Sequence, residues 1–280
     1  MAIVYDMDDF VEELDSGFYK KTILVEGDSW TAYPFPDASN LTQCLDEMTK
    51  DDWLILNLAQ SGDTAKSIFR KHGSQMKTLT QLLSTTQWGD EFDLIFLSAA
   101  GNDLIGQKIV SRGFVENKKD SPFLYGKELL TDNFYEQISK VVDGYNRFLK
   151  MRDKSTTNNT TPVITHCYSY LTPRKKGVKI FGHTLGRPGW IRRHLEHQNV
   201  RNEDEQYEIL CEMFDAFYSR MKRIEGNFDN FIISDTRKAL LKDGVPNLEL
   251  FHDEIHPKKV GYKKVINKIK KDSLARGLWP

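Results

Sequence analysis

The stretch Lys21-Thr-Ile-Leu-Val-Glu-Gly-Asp-Ser-Trp30 runs from a branched, apolar segment into a Gly-Asp turn that ends on a serine hydroxyl. Its first six residues have the length and composition of a strand buried on both faces, which is the habit of a parallel sheet. Four further runs share that character, at 53–57, 93–98, 162–168 and 230–234. Between them lie helical patterns over 39–49, 64–86 with a break at Gly73, 131–153, 202–225 and 258–275. Strand and helix in regular alternation predict an α/β fold with a five-stranded parallel sheet covered by helices on both sides. The polar segment Ser155-Thr-Thr-Asn-Asn-Thr-Thr161 reads as a surface loop. Residues 105–130 and 171–200 carry extra Gly, Pro, Lys and Arg and read as insertions in a single domain spanning 1–280.

In an open parallel sheet the ligand sits beyond the carboxyl ends of the strands, so the residues just after each strand decide the chemistry. Here the first strand ends at Gly27-Asp28-Ser29, the second at a loop carrying Gly62, and the third at Gly101-Asn102-Asp103. The chain after the fifth brings in Asp253-Glu-Ile-His256-Pro257. A serine needs a base within hydrogen-bond reach, and His256 supplies one, with Asp253 three residues earlier to hold its tautomer. Gly62, Asn102 and the Ser29 backbone N–H are candidate donors to a developing oxyanion. Each residue alone also has an ordinary structural job, as helix cap or turn residue. Their joint placement at strand ends favours hydrolysis of an acyl group.

His252-Asp-Glu-Ile-His256 also resembles a His-Glu-x-x-His zinc pattern with Asp in place of Glu. That pattern needs a continuous helix and a third ligand farther along, whereas Pro257 disfavours helix at His256 and Asp272 is the only later carboxylate side chain. No metal and no organic cofactor is therefore expected. With 39 Lys+Arg against 40 Asp+Glu, the net charge of −1 gives no reason to expect nucleic acid. The lysines from Lys258 to Lys271 alternate with Val260, Val265, Ile266 and Ile269, as on the solvated face of an amphipathic helix. Cys44, Cys167 and Cys211 are too few for a disulfide framework and read as buried thiols. An acidic N-terminus and the lack of a membrane-length apolar run make a cytoplasmic protein the expectation, unless a leader has been removed.

On these four blocks, Gly27-Asp28-Ser29, Gly62, Asn102 and Asp253-x-x-His256-Pro257, the chain resembles the SGNH hydrolases, also called GDSL-type esterases and lipases. The resemblance implies a flavodoxin-like three-layer α/β/α fold. It also implies a triad of Ser29, His256 and Asp253, an oxyanion hole of the Ser29 amide, Gly62 and Asn102, and an Asp28 that shapes the nucleophile turn. Three positions depart from the usual pattern: Trp30 for leucine or isoleucine, Ala59 for a first glycine in the second block, and Ala100 for a glycine in the third.

The substrate expected is a carboxylic ester of a small molecule, lipid or carbohydrate. Trp30, Tyr33, Phe35, Tyr170 and Trp190 are candidates for an aromatic wall, with Arg187, Arg192 and Arg193 offered to a polar or anionic group; the same residues read equally well as core aromatics and solvated arginines. The competing reading is a non-catalytic ligand-binding module on the same fold. A matched nucleophile, base and orienting acid argue against it.

Overall fold

A computed structural model describes residues 3–33, 39–50, 52–84, 92–175, 178–180, 183–185 and 189–280. Six strands form one parallel sheet: β1 (Ile3–Val4), β2 (Lys21–Gly27), β3 (Trp53–Asn57), β4 (Leu94–Ser98), β5 (Val163–His166) and β6 (Phe231–Ser234). Their order across the sheet is β1-β3-β2-β4-β5-β6. The five strands expected from sequence are present, and two-residue β1 joins them at the edge beside β3. Val25 pairs with Asn57 and Gly27 with Ser98, so the carboxyl ends of β2, β3 and β4 lie level. All five residues of β4 and all four of β5 and β6 are buried, as strands covered on both faces must be.

The helices are α1 (Met7–Asp15), α2 (Leu41–Thr49), α3 (Ala65–Ile68), α4 (Ser74–Ser84), α5 (Gly101–Leu104), α6 (Lys108–Ser111), α7 (Asp132–Arg152), α8 (Arg192–His197), α9 (Glu203–Glu225) and α10 (Lys259–Leu274). α2 packs with α10 in one layer, while α3, α4 and α9 gather around α7 in the other, giving three layers. Local signals set the ends. Asn40 caps α2 through the Gln43 N–H, and Asn202 caps α9 through Glu205 N–H, followed by acidic residues in the first turn. The expected break at Gly73 separates α3 from α4, and a Thr64–Ser67 capping box starts α3. In α10, Val265, Ile266 and Ile269 are buried while Lys263 and Lys264 face water; Val260 is also exposed.

The two insertions meet. Lys118 N–H donates to the Gln198 carbonyl, Asn199 donates to Asn117 at 2.8 Å, and α6 packs on α8. Cys44 and Cys167 are buried free thiols and Cys211 is half-buried. Among the described residues no helix is long and apolar enough to cross a membrane.

Candidate active site

The turn after β2 is built by Asp28. Its backbone N–H donates to the Ser98 carbonyl on β4, and its own carbonyl accepts from Thr31 and Ala32 N–H. Its carboxylate accepts from Trp30 N–H at 3.0 Å, which closes an Asx-type turn and leaves Ser29 projecting from the apex. Gly27 must be glycine: a Cβ there would lie 2.5 Å from the Ser98 carbonyl oxygen.

From that apex Ser29 Oγ lies 2.8 Å from His256 Nε2. His256 Nδ1 lies 2.8 Å from Asp253 Oδ2. An ionised carboxylate only accepts, so Nδ1 carries the proton and Nε2 is left to accept the serine O–H. Asp253 is fully buried and accepts three more hydrogen bonds, from Ile255 N–H at 2.6 Å, His256 N–H at 2.8 Å and Tyr33 Oη at 3.0 Å. Burial by itself would raise this carboxyl, but the hydrogen bond and charge of His256, with the two backbone donors, outweigh it and hold the group at about 2. Residues 252–255 form bends and not a helix. Among the described residues no group of three His, Cys, Asp or Glu side chains is placed to hold a metal.

The oxyanion candidates share one loop system. Gly62 has φ of 92°, and a Cβ there would meet nothing within 4 Å, so its glycine is required by backbone conformation and not by crowding. Asn102 Nδ2 donates to the carbonyl of neighbouring Asp63 at 2.8 Å, which spends one amide proton and leaves the second. Asp103 accepts from Ala65 N–H at 2.6 Å and so fixes the start of α3 against the third block. The backbone N–H groups of Ser29 and Gly62 have no acceptor among the described residues.

The aromatic residues expected to wall a cleft fall in different surroundings. Trp30 is 1 % exposed: it stacks on His166 at 5.4 Å and meets Tyr168 and Tyr262 edge-on, so it is core. Tyr33 lays its ring on His256 at 4.1 Å and spends its hydroxyl on Asp253. Tyr170 gives its hydroxyl to Asp215 at 2.5 Å. Trp190 is half-buried, and its indole N–H is enclosed without an acceptor among the described residues. Arg192 is held by Glu196 and Glu203, Arg193 is exposed beside His194, and Phe35 and Arg187 lie outside the described residues.

Three supports escaped the sequence reading. Buried Tyr168 donates to Asp28 at 2.6 Å, and Ser98 Oγ donates to its other oxygen at 3.4 Å. His166, stripped of solvent and pushed down to about 3, is neutral; it accepts Tyr168 N–H on Nδ1 and therefore donates from Nε2 to Ser98 at 2.9 Å. Burial likewise raises Asp28, to about 6, despite these donors. The third support is Glu254. It is buried beside Asp253 and accepts backbone N–H from Arg174 at 2.9 Å, Ile191 at 2.7 Å and Arg192 at 2.8 Å, while the Arg174 guanidinium donates to the Asp253 carbonyl. One carboxylate thus fastens the second insertion to the loop that carries Asp253 and His256. The signal available in sequence was position alone: Ser98 and His166 close their strands, and Tyr168 lies just beyond one.

The sequence signature of the GDSL-like Lipase/Acylhydrolase family matches residues 27–269. No curated protein sequence matches this chain. Among solved structures, one described as a platelet activating factor from Streptococcus pneumonia is similar at a TM-score of 0.52 and 12% identity, covering 98% of this chain and 91% of that one. A Bacteroides ovatus structure described as a GDSL-like lipase is similar at a TM-score of 0.51 and 14% identity, covering 92% of this chain and 54% of that one.

Proposed function

The chain belongs to the GDSL-like lipase/acylhydrolase family, and we propose that within it the protein is a serine hydrolase of carboxylic esters working through an acyl-enzyme on Ser29. One observation carries this reading: the unbroken series Ser29 Oγ, His256 and Asp253, each link at 2.8 Å, at the carboxyl end of a parallel sheet.

Nε2 of His256 takes the Ser29 proton as Oγ forms its bond to the ester carbonyl carbon, and the carbonyl electrons move onto oxygen. Asp253 is ionised at neutral pH, so the imidazolium that forms is stabilised by a buried charge already in position. The N–H groups of Ser29 and Gly62 and the second amide proton of Asn102 receive the oxyanion. The intermediate collapses as His256 returns the proton to the leaving alcohol. Water then enters, loses a proton to the same nitrogen, and releases the acid and free Ser29.

The test is labelling by a fluorophosphonate probe together with turnover of a panel: short p-nitrophenyl esters, a lysophospholipid, an acyl thioester and acetylated sugars. Wild type labels and hydrolyses at least one class, and Ser29→Ala does neither. Equal hydrolysis by both proteins would remove Ser29 from the role; no label and no turnover by wild type would remove the hydrolase reading.

A further inference from the structure

Behind the loop that leads to Gly62 lies a pocket of about 360 Å³, lined by Tyr5, Glu26, Asn57, Gln60, Gln75 and Thr78 among others. Glu26 is 1 % exposed. One of its oxygens accepts Gly27 N–H at 2.9 Å, and the other has no partner among the described residues. The lining contains no Lys, Arg or His. A second carboxylate, Asp63, stands nearby and is held by the Gln75 amide. Burial first, and the field of Asp63 second, raise the Glu26 carboxyl well above its ordinary value. A buried acid with no cation beside it is costly when ionised.

We propose that this pocket binds a primary ammonium group, with Glu26 as its counter-ion. An anion would meet two carboxyl groups, and an uncharged polyol would gain nothing from a buried acid that an amide could not provide. A compact ammonium carries three donors; Glu26 takes one, and the Gln60 and Gln75 amide oxygens and the Thr78 hydroxyl are acceptors on the same lining. Tyr5, an exposed residue of the lining, is of the aromatic type whose ring face attracts a cation. The volume suits a small amino alcohol or the end of an aminoalkyl chain.

Binding is coupled to one proton. Burial favours the neutral acid in the empty pocket, and wherever Glu26 is protonated, R–NH3+ entering as a cation displaces that proton to solvent and leaves an ammonium–carboxylate pair. The other titratable groups facing Glu26 are Tyr5 from the N-terminal segment and Asp63 from the glycine loop; β3 and α4 contribute only Asn57, Ser74, Gln75 and Thr78. The site stands independently of the ester reaction. It also touches that machinery, because Asp63 accepts the Asn102 amide and residues 58–60 are both pocket wall and approach to Gly62.

The experiment is titration calorimetry of the full chain with ethanolamine and with ethylene glycol, at constant ionic strength, in buffers of different ionisation enthalpy. Ethanolamine binds once per chain and, below the Glu26 titration, releases a proton, with affinity there rising about tenfold per pH unit. Ethylene glycol does not bind. Glu26→Gln, which removes the charged partner, and Thr78→Met, which leaves the acid in place and fills the pocket with a longer apolar side chain, each weaken ethanolamine at least about tenfold. If Glu26→Gln fails the circular-dichroism check of folding, Thr78→Met carries the comparison. Equal binding of ethylene glycol, undiminished ethanolamine binding by the folded variants, or no ethanolamine binding by wild type from neutral to alkaline pH would overturn the assignment.

Discussion

Asp253→Asn keeps the size of the buried side chain and changes only what its atoms offer. The wild-type carboxylate accepts four hydrogen bonds, two backbone N–H on Oδ1 and His256 Nδ1 with Tyr33 Oη on Oδ2. Backbone donors cannot turn away, so the new amide keeps its oxygen on Ile255 and His256 N–H and points its NH2 at His256. Nδ1 must then accept, the proton moves to Nε2, and the nitrogen facing Ser29 can no longer act as base. An inverted tautomer of this kind lowers kcat by about 10^4, which is about 5 kcal/mol at the barrier. KM changes little because Asp253 is enclosed away from solvent. There is a second readout. The Asp253 pKa is depressed from 3.8 to about 2. A depressed carboxylate contributes stability that is present above the unfolded value and lost as pH falls through the folded one; here that is about 2 kcal/mol. The variant lacks this acid limb. Steady-state ester hydrolysis and thermal unfolding against pH measure the two effects. Tyr33→Phe, which removes one of the four donors and keeps the ring on His256, costs far less than Asp253→Asn. A kcat for Asp253→Asn within about tenfold of wild type would refute the tautomer argument.

Ala100 sits at φ of 148°, a conformation costly for any residue with a Cβ, so Ala100→Gly stabilises by about 1 kcal/mol after glycine's own entropy loss, read as a higher urea midpoint. Asp28 has a folded pKa of about 6 against an ordinary 3.8. The folded state therefore binds the proton more tightly, and stability falls as pH rises between those values, by about 3 kcal/mol in all. Asp28→Asn removes that loss, so its unfolding temperature gains on wild type as pH climbs through the same window. Glu254→Gln places an amide NH2 among three backbone donors and costs about 1–3 kcal/mol locally. Limited proteolysis within 171–200 accelerates in that variant; an unchanged cleavage rate would count against the fastening role.

The sheet was legible because strands such as 53–57 and 93–98 announce themselves by local composition, and helix ends because caps such as Asn40 and Asn202 act within a few residues. β1 was not legible: two residues carry no period, and only pairing with β3 makes Ile3 and Val4 a strand. Gly27, Gly62 and Asn102 could be singled out as candidates because each lies at the end of a strand or in the loop after one, and Asp253 with His256 because three residues on a turn let one side chain reach the other. Trp30, Tyr33 and Tyr170 show the opposite case. An aromatic residue in a loop reads as wall or core with equal ease, and its partners, His166, Asp253 and Asp215, lie 136, 220 and 45 residues away.

The amino-acid sequence by itself therefore determined the order of strands and helices, the turn that lifts Ser29 and the spacing that joins Asp253 to His256, since all depend on neighbours along the chain. Tertiary structure alone decided that Tyr33 braces Asp253, that Glu254 ties down an insertion, and that Glu26 stands without a counter-ion in a pocket. Those outcomes depend on which distant groups share a volume from which water is excluded, and hydrogen bonding and ionisation are set there.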